Sequence, residues 1–281
     1  MGVVQPTRAA GVPKFPASVV PPSSPASPRV DDFTPFCEAV RTICGVDLLQ
    51  YKRAQMERRI RTWTARRGTE DLGEYARRLR ADAAELDAFL DRVTINVSQL
   101  WRHPEQWTAL ATTILPELAE RGRVRAWSAG CSYGAEAYTL AAVCREAIPA
   151  ARVEITGTDL DHRMVARARR GGFTPEDARG APQRALERYF PGGQATEELR
   201  RMVRFATGDL LRMPVPRERY DLVLCRNTVI YFTEAVRDAL HVRLVDALRP
   251  GGYLVVGASE RVADPRGLNL TSPFHFIYRK G

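Results

Sequence analysis

The sequence has 281 residues, 44% hydrophobic and 27% charged, an ordinary globular mixture long enough for one large domain or two modest ones. No apolar run is long enough to span a bilayer, the N-terminus lacks the charged start and apolar core of a secretory signal, and Pro6 breaks the myristoylation pattern that Met1-Gly2 begins, so a cytoplasmic location without membrane insertion is expected. The net charge of +9, almost all from arginine, favours an acidic partner: nucleic acid, an anionic surface or an acidic protein.

Residues 1–30 are rich in Pro, Ala, Ser and Val, include Pro21-Pro22-Ser23-Ser24-Pro25, and read as a disordered tail. From Asp31 to about Leu110 the pattern is helical. Phe33, Phe36, Val40 and Ile43 recur at helical spacing behind the candidate caps Asp31 and Asp32, and Gly45 ends that helix. A second helix is predicted from about Tyr51 to Arg67, with two more at Asp71–Leu79 and Ala84–Val93, giving a small all-helical domain over 31–95. The second helix carries Lys52, Arg53, Arg58, Arg59, Arg61, Arg66 and Arg67 against the single acid Glu57. Two readings stand: a solvated face, or a docking surface for acids.

From Val124 strands and helices alternate, which predicts an α/β domain over 96–281 with a mostly parallel sheet covered on both faces. Predicted strands are Val124–Ser128, Val153–Thr158, Met202–Ala206, Tyr220–Cys225, Tyr253–Gly257 and Phe274–Tyr278; predicted helices are Ala135–Ala147, Met164–Arg170 and Ala235–Leu248. Cys37, Cys44, Cys131, Cys144 and Cys225 form no CxxC pair and have apolar neighbours, so buried free thiols are expected. The four histidines are scattered and none stands at ligand spacing to a cysteine, so no metal site is expected.

Three segments carry chemistry. The first strand enters Ser128-Ala129-Gly130-Cys131-Ser132-Tyr133-Gly134, where glycine lets the backbone turn tightly and approach a ligand. It is not GxGxxG, which disfavours a dinucleotide and suits a smaller, nonphosphorylated nucleoside; a plain strand-to-helix turn is the alternative. The second strand ends at Asp159, placed to accept hydrogen bonds from both ribose hydroxyls of such a nucleoside. The buried strand Tyr220–Cys225 delivers Arg226, Asn227 and Tyr231 past its C-terminal end, where open α/β sheets bind ligands. Asp161 reads as a helix cap and His162 as an exposed helix start. Trp101 and Trp107 read as packing residues, and His103 as a surface or capping residue rather than a base.

Taken in order, Tyr51-Lys52-Arg53, Glu57-Arg58-Arg59, Asn96-Val97-Ser98, Arg102, Trp127-Ser128-Ala129-Gly130-Cys131-Ser132 and Cys225-Arg226-Asn227 with Ile230-Tyr231-Phe232 resemble the CheR-type methyltransferases, from about Phe33 to Tyr278. The resemblance implies a Rossmann-like domain that binds S-adenosylmethionine behind a small all-helical domain. It implies transfer of a methyl group to glutamate carboxylates of methyl-accepting chemotaxis receptors, leaving S-adenosylhomocysteine, by a monomeric enzyme. Asn96, Ser98, Arg102, Gly130, Glu136, Asp159, Asp209, Leu210, Arg226 and Asn227 would then surround the cofactor. Arg102 and Tyr231 would lie near the transferred methyl and the acceptor. Arg53, Arg58 and Arg59 would dock the acidic face of a receptor helix.

The sequence departs from the family at Ala135, where a first glutamate is usual; at Ser98, for threonine; at Leu100-Trp101, for a Phe pair; and at Asp209, for asparagine. Where the family inserts a β-subdomain that some members use to grip a receptor peptide, the region around 173–205 is short. It is expected to hold only a short hairpin, which argues against tethering. Two other functions are weighed. A nucleic-acid methyltransferase would carry a Pro-Pro-Tyr-like or Pro-Cys motif where Cys225-Arg226-Asn227 stands, so nucleic acid is not the expected partner. A noncatalytic S-adenosylmethionine-binding regulator is kept open by the substitutions in the glycine loop and at Asp209.

Overall fold

The computed structural model describes residue 2, residues 31–93 and residues 98–281. The expected tail, apart from residue 2, lies outside the described residues; so do Asn96 and the boundary expected at 95/96.

Four helices come first: α1 (Phe33–Cys44), α2 (Arg53–Arg66), α3 (Leu72–Ala81) and α4 (Ala83–Val93). Gly45 takes a left-handed conformation (φ 79°) that ends α1 and donates to the Arg41 carbonyl. Asp32 does not cap α1 with its side chain; it pairs with Arg61 at 2.6 Å instead. The apolar stripes of these helices meet in one core built on Phe36, Tyr75 and Phe89, whose rings lie 5.9–6.4 Å apart.

A helical stretch then connects to the sheet: α5 (Pro104–Ala109), inside the span read as helical, then a wide π turn (Leu110–Ile114) and α6 (Leu115–Ala119), which carry the helix beyond Leu110. Pro116 accounts for the wide turn, because proline removes one i→i−4 bond and its ring crowds the carbonyl four residues back.

The sheet has seven strands: β1 (Arg123–Ala129), β2 (Arg152–Asp159), β3 (Val203–Thr207), β4 (Tyr220–Cys225), β5 (Leu248–Val256), β6 (Leu270–Phe274) and β7 (Ile277–Lys280), in the order β3-β2-β1-β4-β5-β7-β6. The first five are parallel; β7 runs antiparallel to β5 and β6. The sheet is therefore mixed, and its end is two strands rather than the single Phe274–Tyr278 strand expected. Helices α7 (Ala135–Ala147), α8 (His162–Arg170) and α11 (Glu234–Ala247) connect the parallel strands, with apolar cores on both faces of the sheet. Asp161 caps α8, as read, accepting from the Arg163 and Met164 amides at 2.9 and 3.4 Å.

The expected hairpin in residues 173–205 is a correction. Those residues hold α9 (Gln183–Tyr189) and α10 (Glu197–Met202), with β3 following directly. Both segments are rich in Glu, Arg and Leu, strong helix formers, and α10 buries Leu199 completely. Ahead of β3, the region's one strand-like pairing is an isolated bridge from Gln194 back to Gly172.

Residues 32–281 form one unit. Tyr51 makes an antiparallel bridge to Phe232, the Lys52 amide donates to the Tyr231 carbonyl at 2.9 Å, and the Thr233 amide donates to the Gln50 carbonyl at 3.0 Å. Arg163 ties α8 to α4 through Asp91 at 3.0 Å. No helix among the described residues is long and apolar enough to cross a membrane.

Candidate active site

The strand order reverses at β1, which lies between β2 and β4, so a crevice opens beyond the C-terminal ends of these strands. One pocket occupies it. Gly130, Glu136, Asp159, Asp209, Leu210, Arg226, Asn227 and Tyr231 line it from the sheet side, and Ser98 and Arg102 from the connecting segment. Every described residue read as cofactor-binding or catalytic is thus brought together.

The glycine loop is shaped by its neighbours. Gly130 has φ 79°, and a Cβ there would sit 2.5 Å from the Thr228 Oγ1, so only glycine fits. The Gly130 and Cys131 amides donate to the Thr158 carbonyl at 2.8 and 3.0 Å. The Asp159 carboxylate accepts the Ser132 amide at 2.7 Å and the Asp161 amide at 2.9 Å. Burial raises the pKa of Asp159, and these backbone donors oppose the shift. The carboxylate keeps acceptor capacity for a further donor.

Arg226 is buried beneath the pocket and uses all three guanidinium nitrogens internally. Its Nε donates to the Gln106 Oε1 at 2.7 Å, its Nη2 to the Arg102 carbonyl at 2.5 Å, and its Nη1 to the Glu136 Oε2 at 3.4 Å. Glu136 also accepts the Ser128 hydroxyl at 2.6 Å. Burial raises the pKa of Glu136 and lowers that of Arg226, and each opposes the other's shift. The Arg102 carbonyl accepts the Trp107 indole as well, at 2.9 Å, so the backbone that carries the Arg102 side chain is held twice. Trp101 and Trp107 pack in the core, as read, and His103 begins α5 without a side-chain cap bond.

Positive φ at non-glycine residues recurs around this crevice: Ser132 (48°) and Asn227 (59°) line it, and Trp101 (54°) and His103 (60°) flank Arg102. Such conformations persist only where surrounding structure imposes them. Asn227 also carries a buried Oδ1 without a hydrogen-bond partner. That orphan acceptor, the Asp159 carboxylate and the Gly130 turn fit an adenosyl nucleoside bearing an amino acid.

The sequence reading missed the wall contributed by the helical bundle: Asp47, Gln50, Tyr51, Met56 and Val93. Tyr51 was quoted as part of a motif without a role. Burial, then Asp159, Asp209 and Asp47, raise the pKa of its hydroxyl, which stays protonated. Arg212 joins the two walls, 3.0 Å from Asp47 and 3.6 Å from Asp209. Nearby thiols are inert: burial raises Cys131 and Cys225 well above the ordinary range.

A second cavity adjoins the first through Tyr51, Met56 and Tyr231 and is lined by Lys52, Arg58, Arg59 and Arg92. Arg58 and Arg59 therefore face the route to the pocket. Arg53 lines neither cavity; it lies over the Phe33 ring at 5.3 Å and pairs with Glu57 at 3.4 Å.

Residues 31–94 match the family described as the CheR methyltransferase all-alpha domain, and residues 96–272 the CheR methyltransferase SAM binding domain. The chain is similar to a chemotaxis protein methyltransferase of Listeria monocytogenes, 33% identical over 255 residues, covering 89% of this chain and 97% of that protein. It is similar to chemotaxis protein methyltransferase 1 of Pseudomonas aeruginosa, 32% identical over 245 residues, covering 82% and 89%. A 104.1 kDa uncharacterized protein of Rhodobacter capsulatus is 36% identical over 247 residues, covering 83% of this chain and 26% of that protein.

Proposed function

The chain belongs to the CheR methyltransferase family, and from that premise we propose that it methylates glutamate side chains on acidic helices of chemotaxis receptors, using S-adenosylmethionine. The observation that carries this reading is one pocket in which Gly130, Asp159 and Asn227 suit a nucleoside cofactor, Arg102 lines the same space, and Tyr231 is shared with an adjoining cationic cavity.

When bound, S-adenosylmethionine supplies a methyl group activated by a positively charged sulfur. The residues that would hold it are Ser98, Gly130, Glu136, Asp159, Asp209, Leu210 and Asn227, with Arg226 beneath them. A glutamate carboxylate, with a pKa of about 4.3, is already anionic at neutral pH, so no general base is needed. The protein's task is alignment and exclusion of water. Arg102 positions the acceptor carboxylate, and Arg226 fixes the backbone from which it reaches. The Tyr231 hydroxyl adds an orienting hydrogen bond. Tyr51, Met56 and Phe232 wall the site against solvent. Arg58 and Arg59 attract the acidic face of the receptor helix. The enzyme acts as a monomer in the cytoplasm, with the helical residues 31–95 serving the receptor and residues 96–281 the chemistry.

The test is transfer of radiolabelled methyl from S-adenosylmethionine to receptor-containing membranes, followed by mild alkali. Label on a receptor-sized band, released as methanol, supports carboxyl methyl esters. Alkali-stable label overturns the acceptor group, and cofactor binding without label favours a noncatalytic regulator.

A further inference from the structure

Beyond β4 the chain leaves the sheet through Arg226, Asn227 and Thr228 and enters a short 3-10 helix, Val229–Tyr231. The amides of this segment have no strand to pair with, and buried N–H groups need partners. Glu260 provides them. It follows β5 in the turn Gly257-Ala258-Ser259-Glu260, is 3% exposed, and reaches across to the loop after β4. Its Oε2 accepts the Asn227 amide at 2.8 Å and the Gly257 amide at 2.6 Å. Its Oε1 accepts the Val229 amide at 3.0 Å and the Ile230 amide at 3.3 Å. Both oxygens are thus taken by backbone of the segment that carries Asn227 and Tyr231.

The surroundings leave no slack. A Cβ at Gly257 would stand 2.6 Å from the Glu260 Oε2 and 2.8 Å from the Asn227 nitrogen. Asn227 is held at φ 59°, a conformation costly for a residue with a side chain, and its unpartnered Oδ1 belongs to a pocket-lining residue. A carboxylate is the side chain suited to this place, because both of its oxygens accept and neither donates.

We propose that Glu260 is a positioning residue for methyl transfer: its carboxylate clamps the loop that aims Asn227 at the cofactor and Tyr231 at the acceptor. The proposal rests on the functional reading of the pocket given above. Glutamine keeps the size but turns one oxygen into a donor facing two N–H groups; aspartate keeps the charge but is one methylene short.

The experiment compares wild type, Glu260→Gln and Glu260→Asp for S-adenosylhomocysteine affinity by calorimetry and for kcat and receptor KM in methyl transfer. It adds a double-mutant cycle with Tyr231→Phe. Expected are an affinity loss of about three- to tenfold, a kcat loss of about tenfold or more with receptor KM within about twofold, and losses with Tyr231→Phe that fall short of multiplicative. A folded Glu260→Gln protein with kcat and affinity within about twofold of wild type overturns the proposal, as do losses that simply multiply. Should the Glu260 variants not fold, hydrogen exchange on wild type decides. Core-like protection of the Asn227, Val229 and Ile230 amides supports the clamp, and loop-like exchange overturns it. A wild type that binds S-adenosylhomocysteine but methylates no receptor sinks the functional reading instead, while the affinity and exchange results still judge Glu260.

Discussion

Arg226 and Arg102 stand side by side at the pocket with opposite duties. Arg226 is buried and hydrogen-bonded through all three guanidinium nitrogens, and its removal would leave Glu136 as an uncompensated buried charge. Arg102 is held by its backbone carbonyl, and its half-buried side chain lines the pocket. Arg102→Ala is therefore expected to lower kcat by about a hundredfold, the order lost with an electrostatic positioning group. S-adenosylhomocysteine affinity should stay within a few-fold, and unchanged turnover would remove Arg102 from the reaction. Away from the site, His241 on α11 is 1% exposed with neither ring nitrogen hydrogen-bonded, and burial holds its pKa down to about 4. The unfolded chain, with a histidine pKa near 6.5, binds the proton more readily. Stability is then full above about pH 6.5 and is lost as pH falls toward 4, by about 2 kcal/mol at pH 5. Urea melts of wild type and His241→Leu at pH 7 and 5 check this; the variant should lose that part of the acid dependence. Asp159 and Arg226 were legible as pocket residues because each stands at a strand end, and Tyr231 because it follows β4 in a recognisable order. Gln106 and Glu260 were not. Gln106 meets Arg226 across 120 residues of chain, and Glu260 bonds only to backbone amides, which leave no side-chain pattern to read.

Helix α2 shows what periodicity tells and what it omits. Met56, Ile60 and Thr64 are its buried face, as spacing requires, but only the fold reveals that Arg58 and Arg59, with Lys52 just before the helix, line the cavity that adjoins the pocket while Arg53 does not. Arg58→Glu is expected to raise the receptor KM by about five- to tenfold at low ionic strength, less at high salt, with kcat and cofactor affinity little changed. Steady-state assays at two salt concentrations test this, and a KM insensitive to the reversal would leave α2 a solvated face. The alternation of strands and helices was plain in sequence because fully buried strands such as Tyr220–Cys225 read as continuous apolar runs. The stretch 173–202 was not. Its helices are six or seven residues long, too short to set up a clear period, and the expectation of a hairpin came from resemblance rather than from residues.

Across the whole molecule, one pocket draws walls from the bundle (Asp47, Tyr51, Met56) and from the sheet (Asp159, Asp209, Asn227), and Arg212 joins the two. Binding to such a pocket stabilises both parts together. S-adenosylhomocysteine at 100 times its Kd should add about 2.7 kcal/mol and raise the melting temperature of a single transition by roughly 5–10 °C. Two calorimetric transitions, only one of them shifted, would show that the walls do not unfold as one. The backbone bridge between Tyr51 and Phe232, with the Lys52 and Thr233 bonds beside it, carries a further consequence. The start of α2, proposed to dock the receptor, and the loop that bears Tyr231 are stitched main chain to main chain. Under the proposed function, receptor preference and catalytic competence would then be inherited as one piece. A chimera that borrows the bundle from a relative but keeps its own 228–233 loop joins two halves of different seams, and a working graft must carry both.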